Sequence, residues 1–207
     1  IIKLRGRGCS LKTLNIKNNK FIKELICLLK FLNSPIDNLS FADFILGDVF
    51  LRASKLERQK IEEFLFGLRD KLSNEGFYIY REFKRKYQGI WTQFLDEFFK
   101  EVGYIGLYEL MVDILNRYNV LANFSGQQGF FMHFLQVIKD SEDEYPGISD
   151  FLEHFDEIDV AKLFVNSSGA DAVKVMTIHK AKGLGFEVVI IPFLYLDIND
   201  LGSQTKS

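Results

Sequence analysis

The sequence predicts a mostly α-helical chain in which a helical bundle is attached to part of an α/β domain. Between residues 40 and 158, apolar side chains recur three and four positions apart in successive segments, a spacing that places them on one face of a helix. After residue 172 the pattern changes to two short apolar runs, 173–178 and 186–192, which are rich in β-branched residues and typical of buried strands. Strands of this kind belong to a sheet that is covered on both faces.

The first predicted helix covers residues 22–32, whose apolar side chains share one face. It is predicted to end before Pro35, because the residue that precedes a proline avoids helical geometry. The next helix is predicted to begin with Ser40 as its N-cap and to run toward Leu51.

Ser54 and Glu57 have the spacing of a capping box, which predicts a long helix that stops at residues 74–76. Each fully buried large apolar side chain contributes roughly 1.5–3 kcal/mol, so five or six apolar stripes suffice for a bundle. The remaining stripes predict helices at 91–102, 107–118, 130–138 and 148–155.

The composition is that of an ordinary globular protein. The 207 residues can form one good core or two small ones, and 47% of them are hydrophobic and 26% charged. The formal net charge of −2 excludes a globally basic nucleic-acid coat, so contact with nucleic acid would need a local basic patch.

Several classes of protein are not supported by the sequence. Cys9 and Cys27 do not make a disulfide framework or a metal site, which favours a reducing, cytoplasmic location. No apolar, uncharged stretch of about 18 residues occurs, so no membrane span is predicted. His133 and His154 lack neighbours at metal-ligand spacing, and no catalytic residues are evident. The chain begins without Met or a signal-peptide pattern and stops at Ser207, soon after the second apolar run, so both of its ends are expected to be cuts through a longer protein.

One segment, 78–91, combines four cations with three tyrosines and one tryptophan in fourteen positions. Cations with interleaved rings suit phosphate contact and base stacking, which predicts a nucleic-acid contact. The alternative is a solvated helix face whose rings turn inward. The cations are Arg81, Lys84, Arg85 and Lys86, and the rings are Tyr78, Tyr80, Tyr87 and Trp91.

The loop between the two predicted strands has the chemistry of a polyanion site. It contains His179, Lys180 and Lys182, and Gly183 and Gly185 would let the backbone approach a phosphate. An ordinary turn with solvated lysines is the alternative, and spacing alone does not decide between them.

The stretch from Thr177 to Pro192 resembles helicase motif V of the superfamily 1 UvrD-like DNA helicases. The matching residues are Thr177-Ile178-His179-Lys180-Ala181-Lys182-Gly183-Leu184, followed by Phe186 and the strand ending in Pro192. It is most similar to the RecB and AddA subunits of ATP-dependent helicase-nucleases. The resemblance implies that 1–38 and 166–207 belong to the second RecA-like motor domain, of P-loop NTPase fold. It also implies that 39–165 form its helical insertion, of the 2B type.

The resemblance also implies roles for single residues. Thr177 and His179 would contact DNA, while Lys182 and Gly183 would shape the turn that faces a phosphate. The family has Glu at the position of Gly185, where it contacts the nucleotide sugar. Side chains two apart on a strand share a face, so Glu187 is a hypothetical substitute for that contact.

The parent implied by the resemblance is an ATP-dependent DNA helicase or exodeoxyribonuclease that acts in double-strand-break repair and recombination. Its cofactors would be ATP and Mg²⁺, and its partners single-stranded DNA, duplex DNA and the other component of a helicase-nuclease complex. No G-x-x-x-x-G-K-S/T loop is present here, so the chain alone is expected to bind no cofactor and to hydrolyse no ATP. The alternatives are a non-catalytic helical interaction module and an inactive helicase-like subunit.

Overall fold

The computed structural model of the chain describes residues 15–72, 74 and 76–165. Within these residues the backbone forms α-helices joined by short turns, and its β-type pairing is one bridge between Asn15 and Phe164. The prediction of a mostly helical chain is therefore confirmed for this part. The two predicted strands, 173–178 and 186–192, lie outside the described residues, so the α/β part stays a prediction.

Most of the predicted apolar stripes correspond to helices. None of the helices in the described ranges is long and apolar enough to cross a lipid bilayer. The helices in these ranges are α1 (Lys20–Asn33), α2 (Asn38–Leu46), α3 (Asp48–Ser54), α4 (Arg58–Phe66), α5 (Ile79–Lys86), α6 (Gln88–Phe94), α7 (Asp96–Glu101), α8 (Leu107–Arg117), α9 (Val120–Asn123), α10 (Gln128–Ser141) and α11 (Ile148–Glu157).

Helix α1 lies at the centre of the packing. Asn19 caps it by accepting hydrogen bonds from the N–H groups of Phe21 and Ile22, and it ends at Asn33, as Pro35 predicted. Its neighbours are α2, α3, α10 and α11. The helix therefore packs as part of the helical body, whereas the domain boundary at residue 38 stays a prediction. Its buried residues are Ile22, Leu25, Leu28, Leu29, Phe31 and Leu32.

The predicted start of α2 was wrong. The N-cap is Asp37, whose side chain accepts a hydrogen bond from Ser40 N at 2.9 Å, and Ser40 itself is buried inside the helix. The helix also ends at Leu46 instead of continuing to Leu51, because the chain is extended at Gly47 before α3 begins.

The predicted capping box at Ser54 and Glu57 was also wrong. Ser54 is the last residue of α3, and Lys55 then adopts a left-handed conformation with φ 58° that turns the chain. Helix α4 starts after Glu57, whose side chain makes no capping hydrogen bond, and stops at Phe66. Leu72, which the predicted long helix would have included, lies beyond the end of α4 and is 44% exposed.

The helix predicted at 91–102 is two helices, α6 and α7, which meet at Leu95. The backbone of Leu95 leaves helical geometry, with φ −128° and ψ −36°. Neither glycine nor proline marks this break in the sequence. The predicted apolar residues are nevertheless in the core, since Trp91, Phe94, Leu95 and Phe98 are all buried.

Aromatic side chains form much of the core, as the stripes predicted. Phe44 and Phe50 are fully buried, and their ring centroids are 5.5 Å apart in an edge-to-face arrangement. Tyr118 packs edge-on against Phe44, also at 5.5 Å, and its hydroxyl donates to the Phe94 carbonyl oxygen at 2.8 Å. Burial raises the pKa of Tyr118 well above its usual value.

Candidate nucleic-acid interface

The basic and aromatic segment lies on α5 and α6. Ile79 and Phe83 form the buried face of α5. Asn38 fixes the start of this helix, because its side-chain oxygen accepts from Ile79 N at 2.8 Å and its side-chain nitrogen donates to the Phe77 carbonyl at 2.9 Å. The buried face leaves the cations of α5 exposed.

Three of the four cations lie over aromatic rings. The guanidinium of Arg81 is 4.8 Å from the Tyr78 ring centroid, and Lys84 Nζ is 5.2 Å from that of Trp91. Lys86 Nζ lies 5.3 Å from the Phe64 ring centroid, on the side of α5 that packs near α4. Such contacts are attractive because the face of an aromatic ring carries negative potential.

The rings themselves belong largely to the core. Trp91 is 2% exposed, and Tyr80 lies close to it, with ring centroids 5.9 Å apart. Tyr80 also stacks on Phe99 at 6.2 Å. Tyr78, Tyr80 and Tyr87 are half-buried. The alternative interpretation, in which rings turn inward and cations remain solvated, therefore describes Trp91 well and the tyrosines in part.

Two of the cations pair with carboxylates. Lys84 Nζ lies 3.3 Å from Asp96 Oδ1, and Arg85 pairs with Glu82 one turn earlier. Asp96 also accepts from Lys100 at 3.0 Å and from Trp91 Nε1 at 3.0 Å. The hydrogen bonds from Lys100 and then Trp91 lower the pKa of Asp96 to about 2. The Glu82–Arg85 spacing is visible in the sequence, whereas the role of Asp96 was missed because it depends on the turn at Leu95.

The other two cations, Arg81 and Lys86, have no carboxylate within ion-pair distance among the described residues. Arg81 Nε donates to Tyr80 Oη at 3.2 Å, and this hydrogen bond raises the pKa of Arg81. The structure thus separates the four predicted contact residues into two paired cations, Lys84 and Arg85, and two cations without an acidic partner.

An open depression of about 450 Å³ lies between α4 and α5. Its wall contains both carboxylates and cations, so the depression by itself does not have the charge of an anion site. The lining residues are Glu63, Phe64, Gly67, Leu68, Glu82, Arg85 and Lys86.

Two helix N-termini that could attract a phosphate are already occupied by carboxylates of the chain. Glu24 on α1 accepts from Val49 N at the start of α3, at 2.7 Å. Glu142, just after α10, accepts from Tyr108 N at the start of α8, at 3.1 Å. These two helix N-termini are therefore not open to a phosphate, whereas the cations of α5 are exposed.

Within residues 15–72, 74 and 76–165, no group of three or more His, Cys, Asp or Glu side chains is arranged to bind a metal ion. His133 instead bonds to the Lys162 carbonyl at 3.0 Å, and His154 stacks on Tyr145. The remaining predicted site residues, Thr177, His179, Lys182, Gly183, Gly185 and Glu187, lie outside the described residues.

Comparison with known proteins identifies the family. The sequence model of the UvrD-like helicase C-terminal domain matches residues 17–196. A relative from Lachnoclostridium phytofermentans, one subunit of an ATP-dependent helicase/nuclease, is 29% identical over 115 residues, which cover 53% of this chain and 8% of the relative. No solved structure gives a significant match. Because the family match extends over most of the sequence, the chain belongs to the UvrD-like helicase C-terminal domain family.

Proposed function

We propose that the chain is part of an ATP-dependent DNA helicase of the AddA type, which works in the cytoplasm in double-strand-break repair and recombination. The observation that carries the proposal is the family match over residues 17–196, which includes the motif V-like stretch from Thr177 to Pro192. The relative at 29% identity supports the AddA type. Its name, which describes one subunit of a helicase/nuclease, supports a nuclease activity and a partner protein for the whole molecule, and we propose that this nuclease is an exonuclease.

Within such a motor, the helical body described here would contact DNA through α5. Arg81, Lys84, Arg85 and Lys86 are exposed on this helix, and cations on one surface element attract the phosphate backbone. The net charge of −2 makes a local patch the natural means of binding. Both single-stranded and duplex DNA are expected partners of the whole protein.

The motif V-like stretch would supply the second DNA contact. Thr177 and His179 would touch the DNA, and Lys182 would provide charge to the turn that faces a phosphate. A buried strand followed by a glycine-containing turn is a common scaffold for phosphate contact. We propose the domain division at 38 and 165 on the same grounds.

We propose that Gly183, Gly185 and Glu187 lie on the nucleotide side of the site. The whole protein would bind ATP and Mg²⁺ there. ATP would supply the energy of translocation, and this chain's own part would be to hold DNA. Gly185 stands where the family has Glu, so Glu187 is proposed to face the nucleotide sugar. Because the chain lacks a phosphate-binding loop, it is proposed to hydrolyse no ATP alone.

The test is DNA-stimulated ATP hydrolysis and strand unwinding by the full-length protein that carries this chain. The wild-type protein is expected to show both, and Lys182→Ala and Glu187→Ala are expected to reduce DNA stimulation and nucleotide affinity respectively. Lys162→Ala is a matched control, since Lys162 is exposed and lies on the helical body. ATP hydrolysis that DNA does not stimulate, in a correctly folded full-length protein, would count against the helicase assignment.

A further inference from the structure

The guanidinium of Arg81 is held in place from two sides. Its Nε donates to Tyr80 Oη at 3.2 Å, and its central carbon lies 4.8 Å from the ring centroid of Tyr78 and 5.8 Å from that of Tyr80. The two tyrosine rings stack on each other with centroids 6.1 Å apart. These contacts restrict a long side chain, so it loses less conformational freedom when it binds a ligand.

The rest of the guanidinium is available to a ligand. Of the hydrogen bonds among the described residues, the side-chain bond of Arg81 uses Nε, and no carboxylate of this part of the chain lies within ion-pair distance. A planar guanidinium with two free terminal nitrogens matches the oxygens of one phosphate, to which it can donate two parallel hydrogen bonds. We infer that Arg81 is the principal phosphate-binding residue of α5 and that Tyr78 and Tyr80 are its positioning residues. This inference rests on the proposed DNA contact of α5.

The same contacts argue against base stacking by the tyrosines. The Arg81 guanidinium already covers a face of Tyr78. Tyr80 packs among Phe31, Trp91 and Phe99, at centroid distances of 5.8, 5.9 and 6.2 Å. A base would have to displace the guanidinium or open the core to stack here. The ligand is therefore the sugar-phosphate backbone, which carries no base sequence to be read directly.

The other cations of α5 are less suited to the same role. Lys84 shares Asp96 with Lys100, and Arg85 is paired with Glu82, so a phosphate would have to compete with a carboxylate. Lys86 lies five residues after Arg81, which is about 140° around a helix, and it faces Phe64. Arg81 is thus the cation of α5 that combines a guanidinium fork, a hydrogen bond that fixes its orientation, and the lack of an acidic partner among the described residues.

The experiment is fluorescence polarisation of the 207-residue chain with a labelled duplex of arbitrary sequence, between about 50 and 200 mM salt. Arg81→Ala is expected to weaken binding on the order of tenfold, as expected for a lost charge-assisted bond. It is also expected to lower the slope of log affinity against log salt by about 0.9. Arg81→Lys is expected to keep the slope and to lose a few-fold in affinity, because it keeps the charge without the fork.

Two further variants separate the roles. Lys84→Ala is expected to lose less affinity than Arg81→Ala, and Tyr78→Leu is expected to lose less than Arg81→Ala with an unchanged salt slope. Circular dichroism of each variant verifies that it is folded. Equal binding by Arg81→Ala and wild type, or a larger loss in Tyr78→Leu than in Arg81→Ala, overturns this inference alone. A wild-type chain that binds no DNA overturns both the inference and the proposed DNA contact of α5.

Discussion

The Glu24 carboxylate on α1 occupies the space where a side chain at Gly47 would begin. A Cβ placed on Gly47 would lie 2.7 Å from Glu24 Cδ and Oε2, and the same Oε2 accepts a hydrogen bond from Val49 N at 2.7 Å. Helix α3 starts directly after Gly47 and lacks a side-chain cap from the residue that precedes it. The cap comes instead from a helix 25 residues away in the sequence, and glycine leaves room for it.

The same arrangement recurs at the start of α8. A Cβ on Gly106 would lie 2.5 Å from Glu142 Oε1, which accepts from Tyr108 N at 3.1 Å. The hydrogen bond from Lys139, and then that from Tyr108 N, lowers the pKa of Glu142. Two glycine–glutamate pairs thus connect helices that are distant in sequence, and each makes the start of one helix depend on the position of another.

Gly47→Ala is expected to destabilise the chain by about 1–2 kcal/mol, because the new methyl group would displace Glu24 from its cap. Urea denaturation measures the change. Gly89→Ala is the control: Gly89 lies in α6 and has no heavy atom within 4 Å of its would-be Cβ. This control is expected to raise stability by roughly 0.5–1 kcal/mol. Equal stability of Gly47→Ala and wild type would contradict the steric role of Glu24.

The raised pKa of Glu24 makes the stability of the chain depend on pH in a direction that can be worked out. Burial raises its pKa above the ordinary 4.5, more than the Val49 and Asp48 N–H groups lower it. A folded-state pKa above the unfolded one means that the protonated carboxyl is favoured by folding, so its stabilising effect is full below pH 4.5 and is lost as pH rises through the raised pKa. Wild type should therefore lose stability relative to Glu24→Gln over that range, as urea denaturation from acid to neutral pH measures. A gain of wild type over Glu24→Gln with rising pH would be inconsistent with this.

The effect of Asp96 on stability depends on pH in the opposite direction from that of Glu24. Its pKa is lowered to about 2 from the ordinary 3.8, so its stabilising effect is present above pH 3.8 and is lost as pH falls toward 2. Asp96→Asn is expected to cost about 1–2 kcal/mol at neutral pH through the hydrogen bonds from Lys100 and Trp91. The difference from wild type should shrink in acid. Asp113→Asn, at an exposed position on α8, is the matched control, and an equal cost in both variants would refute a special role for Asp96.

Tyr118→Phe is expected to cost about 1–2 kcal/mol, since the buried Phe94 carbonyl would lose the hydroxyl that donates to it. Thermal unfolding of the variant measures this cost. Tyr104→Phe provides the comparison, because Tyr104 is 88% exposed and should lose no measurable stability. A Tyr118→Phe variant as stable as wild type would mean that water satisfies the carbonyl.

Helical periodicity predicted the helices whose apolar stripes are long and continuous, such as α1, α8, α10 and α11. It was less successful at helix starts and breaks, where alternative positions differ little in local energy. Asp37 and Ser40 are both good caps, and the turn after Pro35 lets Asp37 serve. The break lies at Leu95, whose side chain is buried, and no glycine or proline marks it in the sequence.

The sequence indicated which segment forms the candidate interface, but not how the side chains of that segment are arranged. Composition alone indicated residues 78–91, because cations and rings alternate there. The division between paired and unpaired cations depends on Asp96, which is brought back to Lys84 by the bend between α6 and α7. Likewise, the caps from Glu24 and Glu142 depend on contacts between helices, which no local pattern contains.

The proposed DNA contact of α5 is tested most directly by comparing two fourfold variants of the 207-residue chain for binding to duplex DNA at low salt. One replaces Arg81, Lys84, Arg85 and Lys86 with glutamine. The other removes the same number of charges from exposed lysines elsewhere, Lys23, Lys30, Lys55 and Lys162. Because both variants have the same net charge, a general electrostatic effect would weaken both equally. We predict that binding is lost in the α5 variant and largely kept in the control; equal binding by the two variants would contradict the proposed contact.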